Sequence, residues 1–358
     1  METLCRPFST DTNLDFSLLT GMLYRIQKPH MKTDTRETCI LKKQPIMRRM
    51  ILALIPCILA AIYFFGWRSL LIVLVSIAVG YSTEYLFARR RGESVTEAVF
   101  VSSIIYALIL PPTVPWHVLV IGMVFAIMFG KMVFGGFGYN IFNPAMAGRA
   151  FAYICFPVAM TATWAPVAQG SWGALGMWST ALAPDVITAA TPMALVKAGQ
   201  LAPPPLIDMF IGRISGTMGV TSVLAIVLGG IYVFITKTAS RWIITAVISS
   251  YALVTGLLTL AGIPGVAGVM AALMGGGFLF GAFFMATDPI SAPKTKPAQI
   301  IYGVIIALST AIIRTFSVFN GGFMFSLLLA NMFGPILDYG FRHRVKEQSR
   351  MNNETRQG

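Results

Sequence analysis

Long apolar runs broken by short polar or basic punctuation fill the chain from about residue 49 onward. Ten runs stand out, at 49–67, 69–88, 96–111, 115–134, 145–160, 217–236, 241–262, 266–286, 298–316 and 322–339. Most approach the ~20 residues that carry a helix across the hydrocarbon core of a bilayer. The pattern predicts an all-α, polytopic membrane protein with about ten transmembrane helices. The fifth run is short and rich in Gly and Ala, as spans that line a site rather than face lipid often are. The organisation that follows is a cytoplasmic N-terminal segment, 1–48, a ten-helix domain, 49–341, containing a long loop at 161–215, and a cytoplasmic tail, 342–358. Residues 1–48 are largely polar, with an amphipathic patch at Phe16, Leu18, Leu19, Met22, Leu23 and Ile26. Their spacing suits a short interfacial helix or, equally, a helix packed on the protein itself.

An even number of spans puts both termini on one side. With the N-terminus cytoplasmic, only Arg68, Lys197, Arg213 and Arg314 among the 27 Lys and Arg face outward. The Arg89-Arg90-Arg91 run and Arg342, Arg344 and Lys346 face inward. This is the positive-inside bias of a multi-pass protein of the bacterial inner membrane with both termini cytoplasmic. The first apolar run begins near Met50, too deep for the apolar core of a cleavable signal peptide. Loop 161–215 is then outside, and Trp164, Trp172 and Trp178 suit an ordered loop lying at the interface. A faint internal echo joins Phe134-Gly-Gly-Phe-Gly before Asn143-Pro144 to Gly275-Gly-Gly-Phe before Asp288-Pro289. Five spans per half would make two inverted repeats, an arrangement that puts sites between the halves.

Composition sharpens the class. Charged residues make up 11% and hydrophobic residues 56% of the chain, at a mean hydropathy of +0.73; a soluble domain carries roughly 25% charged residues. The net charge of +13 sits beside spans, where it sets topology and meets anionic headgroups, so nucleic acid is excluded as a partner. Cys5, Cys39, Cys57 and Cys155 form no CxxC pair, and His30, His117 and His343 are scattered, so no metal site is expected within the chain.

Three groups of residues carry possible chemistry. In the stretch from Phe134 to Phe151, glycines allow close backbone approach, and Asn140 and Asn143 offer amide donors and acceptors suited to the edge of an isoalloxazine ring. On the residues alone, a helix–helix turn capped by Asn is the commoner outcome. The second group is Asp185-Val-Ile-Thr188-Ala189-Ala190-Thr191, ahead of a run whose expected helix start, Ser215-Gly216-Thr217, would favour an anion beside Arg213 or simply cap the helix. The third is Glu84, Asp288 and Asp338, acids in or at the ends of spans, where a charge at the bilayer centre costs roughly 2.5–3.5 kcal/mol and is usually paired or functional. Phe278, Phe280, Phe283 and Phe284 crowd the eighth span and are expected mostly to face lipid.

The Phe134–Phe151 stretch, together with Ala107–Pro115, Ile211–Gly219, Phe284–Ala292 and Leu329–Asp338, resembles the B subunit of the Na+-translocating NADH:quinone reductase and, more distantly, the D subunit of the Rnf complex. The resemblance implies a flavin-carrying membrane subunit of a respiratory oxidoreductase, passing electrons to quinone and coupled to Na+ or H+ translocation. It implies FMN joined through its phosphate to Thr191 by a flavin transferase, with Ala189 where the family usually has Gly. It implies riboflavin at Asn140 and Asn143, Arg213 and Gly216 near the FMN phosphate, and a quinone region at Gly80. Glu84, Asp288 and Asp338 match acids tied to cation uptake and the quinone region, whereas Met132 stands where sodium-pumping relatives often have an acid. NADH oxidation would fall to other subunits of the complex, because the chain has no dinucleotide fingerprint. Two other readings of the plan are a urea-channel-like facilitator and a structural membrane anchor without a redox group.

Overall fold

The apolar runs become helices whose ends are set by Gly, Pro and Asn. The computed structural model describes residues 41–168, 170–180, 204–263, 265, 266, 268–317 and 322–357, with side chains as far as His343. The amphipathic patch Phe16–Ile26, the Asp185–Thr191 segment and Lys197 lie outside the described residues. Helix α1, Pro45–Phe65, starts with Pro in its first turn and stops at Gly66. Helix α2, Trp67–Arg91, ends at left-handed Gly92 with three arginines in its last turn, where cations offset the helix dipole. A two-residue parallel pairing joins β1, Leu41–Lys42, to β2, Val95–Thr96.

Helix α3, Ala98–Leu108, is only 11 residues long. Helix α4, Trp116–Ile127, runs on as a π-helical turn, Met128–Met132. Then come α5, Pro144–Cys155, and α6, Pro157–Thr161, divided at Phe156; outside the spans lies α7, Leu206–Ile211. The second half holds α8, Val223–Ile235, and α9, Arg241–Leu260. Helix α10, Val269–Met274, breaks before α11, Phe278–Phe280, which continues as a second π-helical turn, Gly281–Met285. The last helices are α12, Lys296–Phe316, and α13, Gly322–Gln357.

The chain is therefore an all-α polytopic membrane protein. Among the described residues five helices, α1, α2, α9, α12 and α13 to His343, are long and apolar enough to cross a membrane by themselves. The other apolar segments are shorter or broken. Packing repeats between the halves. In the first, α2 packs on α4 and α4 on α5; in the second, α9 packs on α12 and α12 on α13. Helices α1 and α8, the first span of each half, pack on one another. This order fits two five-helix repeats.

The two interrupted spans leave carbonyls that a helix end cannot satisfy itself. Pro111 and Pro112 follow α3, and Leu108 and Leu110 accept hydrogen bonds from the backbone N–H groups of Gly219 (2.7 Å) and Met218 (3.2 Å). A Cβ on Gly219 would stand 2.5 Å from that of Leu108, so this approach requires glycine. Helix α8 consequently starts at Val223, capped by Ser222, and not at the expected Ser215–Thr217. At the α10 break, Gly276 and Gly277 take positive φ, and Arg314 of α12 donates to the carbonyls of Ala272 (3.1 Å) and Gly276 (2.8 Å). The break turns the phenylalanines inward. Phe278 and Phe280 are 0% exposed and Phe284 is 1% exposed, so most of this aromatic group is core and does not face lipid.

Candidate functional site

Isolated charges in apolar helices seek each other, and at the end of α2 three elements bring them together. Glu84 lies near the end of α2, Lys131 in the first π-helical turn, and Thr96 on β2 between them in sequence. Lys131 Nζ donates to Glu84 Oε2 at 2.6 Å and to Thr96 Oγ1 at 2.7 Å. Glu84 Oε1 accepts from the Thr96 hydroxyl at 2.8 Å and from its backbone N–H at 3.0 Å. Both charged side chains are 3% exposed. A buried pair repays its desolvation only when the remaining lone pairs and protons are bonded, and Thr96 supplies those bonds. The β1–β2 pairing holds Thr96 in place, and Glu97 beside it takes Gln44 N and Arg48 Nη2 at 2.5 and 2.7 Å.

Lys131 also lines a crevice between the halves, with Phe137, Asn140, Asn143, Phe284 and Asp288. Its free space is about 40 Å³, room for little more than water. The second π-helical turn ends at this wall. Asn143 Oδ1 caps α5 by accepting from Ala145 and Met146, and its Nδ2 donates to Met285 O at 3.3 Å. Asn143 thus ties the first Gly-rich turn to the second half, and its amide is engaged on both sides. Asn140 differs. Its Nδ2 bonds Phe142 O at 3.2 Å, while its buried Oδ1 has no partner among the described residues. Asp288, half-buried, accepts from the Ser291 hydroxyl at 2.7 Å and makes no ion pair among the described residues.

Asp338 lies apart from this group. It accepts from the backbone N–H groups of Lys294 (2.8 Å) and Thr295 (2.9 Å) and from the Thr295 hydroxyl (2.9 Å), so it caps α12 from α13. Gly80 is buried where α2 meets α3 and α4, and a Cβ there would collide with Ser103 Oγ. Arg213, beyond α7, reaches Asp208 at 3.9 Å and is 66% exposed. Both residues and Ser215 line a hollow of about 730 Å³ with Tyr63, Gly170 and Ser171. Gly216 lies in the extended stretch beyond, its nearest neighbour for an added Cβ being Thr221 Oγ1 at 3.5 Å.

The structure thus brings Glu84 near Asn140, Asn143 and Asp288 through Lys131, with Gly80 one helical turn before Glu84 on α2, and leaves Asp338, Arg213 and Gly216 outside this group. The partnership of Lys131 and Thr96 with Glu84 was not read from the sequence. Its signal was one isolated acid and one isolated base in neighbouring apolar runs, which a membrane interior forces into contact.

A family model described as the NQR2, RnfD, RnfE family matches residues 27–347. The B subunit of a Na(+)-translocating NADH-quinone reductase from Chromohalobacter salexigens is 39% identical over 292 residues, 79% of this chain and 66% of that protein. The D subunit of an ion-translocating oxidoreductase complex from Shewanella amazonensis is 32% identical over 349 residues, 90% of this chain and 98% of that protein. The D subunit of a Na(+)-translocating ferredoxin:NAD(+) oxidoreductase complex from Acetobacterium woodii is 34% identical over 323 residues, covering 87% and 93%.

Proposed function

Because the chain belongs to the NQR2, RnfD, RnfE family, we propose that it is the flavin-carrying inner-membrane subunit of a multi-subunit NADH:quinone oxidoreductase, coupled to Na+ or H+ translocation. FMN is attached through its phosphate to Thr191 by a flavin transferase, riboflavin is held at the inner crevice, and quinone takes the electrons near the cytoplasmic face. Both termini are cytoplasmic and loop 161–215 is outside.

The observation that carries the riboflavin assignment is the buried Oδ1 of Asn140 on the crevice wall, which has no partner among the described residues. A buried acceptor without a donor costs about 1–3 kcal/mol, and a ring N–H removes that cost. The polar lining suits a flavin edge, but about 40 Å³ does not hold a tricyclic ring, so Phe137 and its neighbours must part for it. A bound flavin supplies one- and two-electron transfer. The protein's part would be to position it: Asn140 would accept from the ring, Asn143 fixes the turn, and Phe137 and Phe284 would shield the ring from water. On the outer side, the hollow beside Arg213 and Ser215 has the volume and the cation for a phosphorylated group. Glu84, Lys131 and Asp288 give the inner end paired and unpaired charges through which cation movement can respond to electron arrival.

In-gel fluorescence of the denatured chain, made together with the flavin transferase, tests the reading. Wild type and Thr188→Ala fluoresce, and Thr191→Ala is dark because alanine has no hydroxyl to esterify. A dark wild-type band returns the chain to the channel or anchor readings.

A further inference from the structure

We propose that Lys131 is a tethered competitor for the transported cation, occupying Glu84 until an arriving ion displaces it toward Asp288. The inference rests on the cation-translocation reading above and assigns a positioning residue within it. Three observations carry it. First, Glu84 is not on the crevice wall, while Lys131 is, so the ammonium stands between the crevice and the buried carboxylate 2.6 Å behind it. Second, Asp288 lies on the same wall and makes no ion pair among the described residues. Two carboxylates and one ammonium leave one negative charge uncompensated at the crevice. Of the neighbouring cations, Arg48 is committed to Glu97, and Arg91, which donates to the carbonyl of Met132, makes no ion pair with either carboxylate among the described residues. A single monovalent cation completes the balance. Third, Asp288 shares the crevice wall with Lys131 and is close enough to act electrostatically on its ammonium. Nζ already lies 5.8 Å from the centre of the Phe137 ring, another crevice wall, so the ammonium meets an aromatic face as it leaves Glu84. Lys131 also springs from a π-helical turn, an irregularity that recurs at functional sites. Moving between two carboxylates, it leaves neither the ammonium nor the incoming ion without an opposite charge.

The test is the half-saturating Na+ concentration for quinone reduction by the assembled complex in membrane vesicles, with the pH midpoint of turnover in Na+-free buffer as its counterpart for H+. Lys131→Met should lower the half-saturating concentration about tenfold or more, because the ion no longer displaces a contact ammonium. In a Glu84→Gln background the same substitution should add nothing, since the competed carboxylate is gone. Lys131→Arg, which keeps the charge and binds a carboxylate through two donors, should raise the half-saturating concentration several-fold. It is the variant that decides if Lys131→Met does not assemble. Unchanged half-saturation in Lys131→Arg, or in an assembled Lys131→Met, overturns the proposal, as does a shift that persists without Glu84. Wild-type turnover indifferent to both Na+ and pH overturns the translocation reading itself, and the proposal with it.

Discussion

The inner crevice and the outer hollow differ in almost every physical respect. At the inner crevice about 40 Å³ of space is bordered by a lysine that, with its glutamate, is 3% exposed and tied to it both directly and through Thr96. At the outer hollow about 730 Å³ is bordered by an arginine 66% exposed and a single ion pair stretched to 3.9 Å. Low dielectric makes the first a place where one charge dictates the position of another. Solvent makes the second a place where charges are weakly coupled to the fold and free to meet something brought to them. The inner site is built by the helices, whereas the outer one is a seat. The same change of charge should therefore act on stability inside and on occupancy outside.

The largest effect should come from cutting the inner pair on one side. Glu84→Ala leaves Lys131 buried with only the Thr96 hydroxyl, and breaking such pairs costs about 3–5 kcal/mol. The thermal unfolding midpoint of the detergent-solubilised chain should fall steeply. Removing both charges in Glu84→Gln/Lys131→Met should recover most of the loss, because no orphaned charge remains. A Glu84→Ala chain that melts like wild type would mean water reaches Lys131, and the contrast between the two regions would collapse.

Asp338→Ala should rank next. It removes three hydrogen bonds that satisfy the start of α12, at a side chain 14% exposed, and a lost cap costs about 0.5–2 kcal/mol. Asp338→Asn, which keeps one acceptor oxygen, should lose less. If Asp338→Asn halted quinone reduction at unchanged stability, the carboxylate would be serving chemistry and not the cap. Gly80→Leu belongs at similar size. Overpacking a helix contact costs about 1–3 kcal/mol, whereas Gly80→Ala meets only the movable ends of Ser103 and Met123 and should be milder.

The spans were legible in the sequence because membrane helices announce themselves by length and apolarity, and Asn143-Pro144 announced the start of α5 by its capping chemistry. The interruptions were not legible. Whether Ser215–Thr217 starts a helix depends on the carbonyls of Leu108 and Leu110, more than a hundred positions away, which claim the N–H groups of Gly219 and Met218 just beyond it. The inward turn of Phe278 and Phe284 likewise depends on a break held open by Arg314 from another helix. Glu84, Asp288 and Asp338 looked alike as isolated acids. Only their partners separate them: an ammonium for the first, a hydroxyl for the second, a helix start for the third.

The smallest stability effect should come from Arg213→Ala, and it is the sharpest test of the outer region. Its guanidinium is exposed and its bond to Asp208 is long, so its loss should stay within about 0.5 kcal/mol and leave the melting curve unmoved. Occupancy should respond differently. If the hollow seats the phosphate of a flavin carried on Thr191, the guanidinium beside it is the charge that holds the anion, and Asp208 is released when the anion arrives. The attached flavin in Arg213→Ala should then be present in normal amount on a denaturing gel. In the folded protein it should be more accessible to a soluble fluorescence quencher, an effect that Arg213→Lys restores in part. Asp208→Asn should act in the opposite direction, since it removes a competitor for the same guanidinium. Quenching equal to wild type in all three variants would place the flavin away from the hollow, while a fall in melting temperature in Arg213→Ala would show the outer region to be bound into the fold as tightly as the inner one.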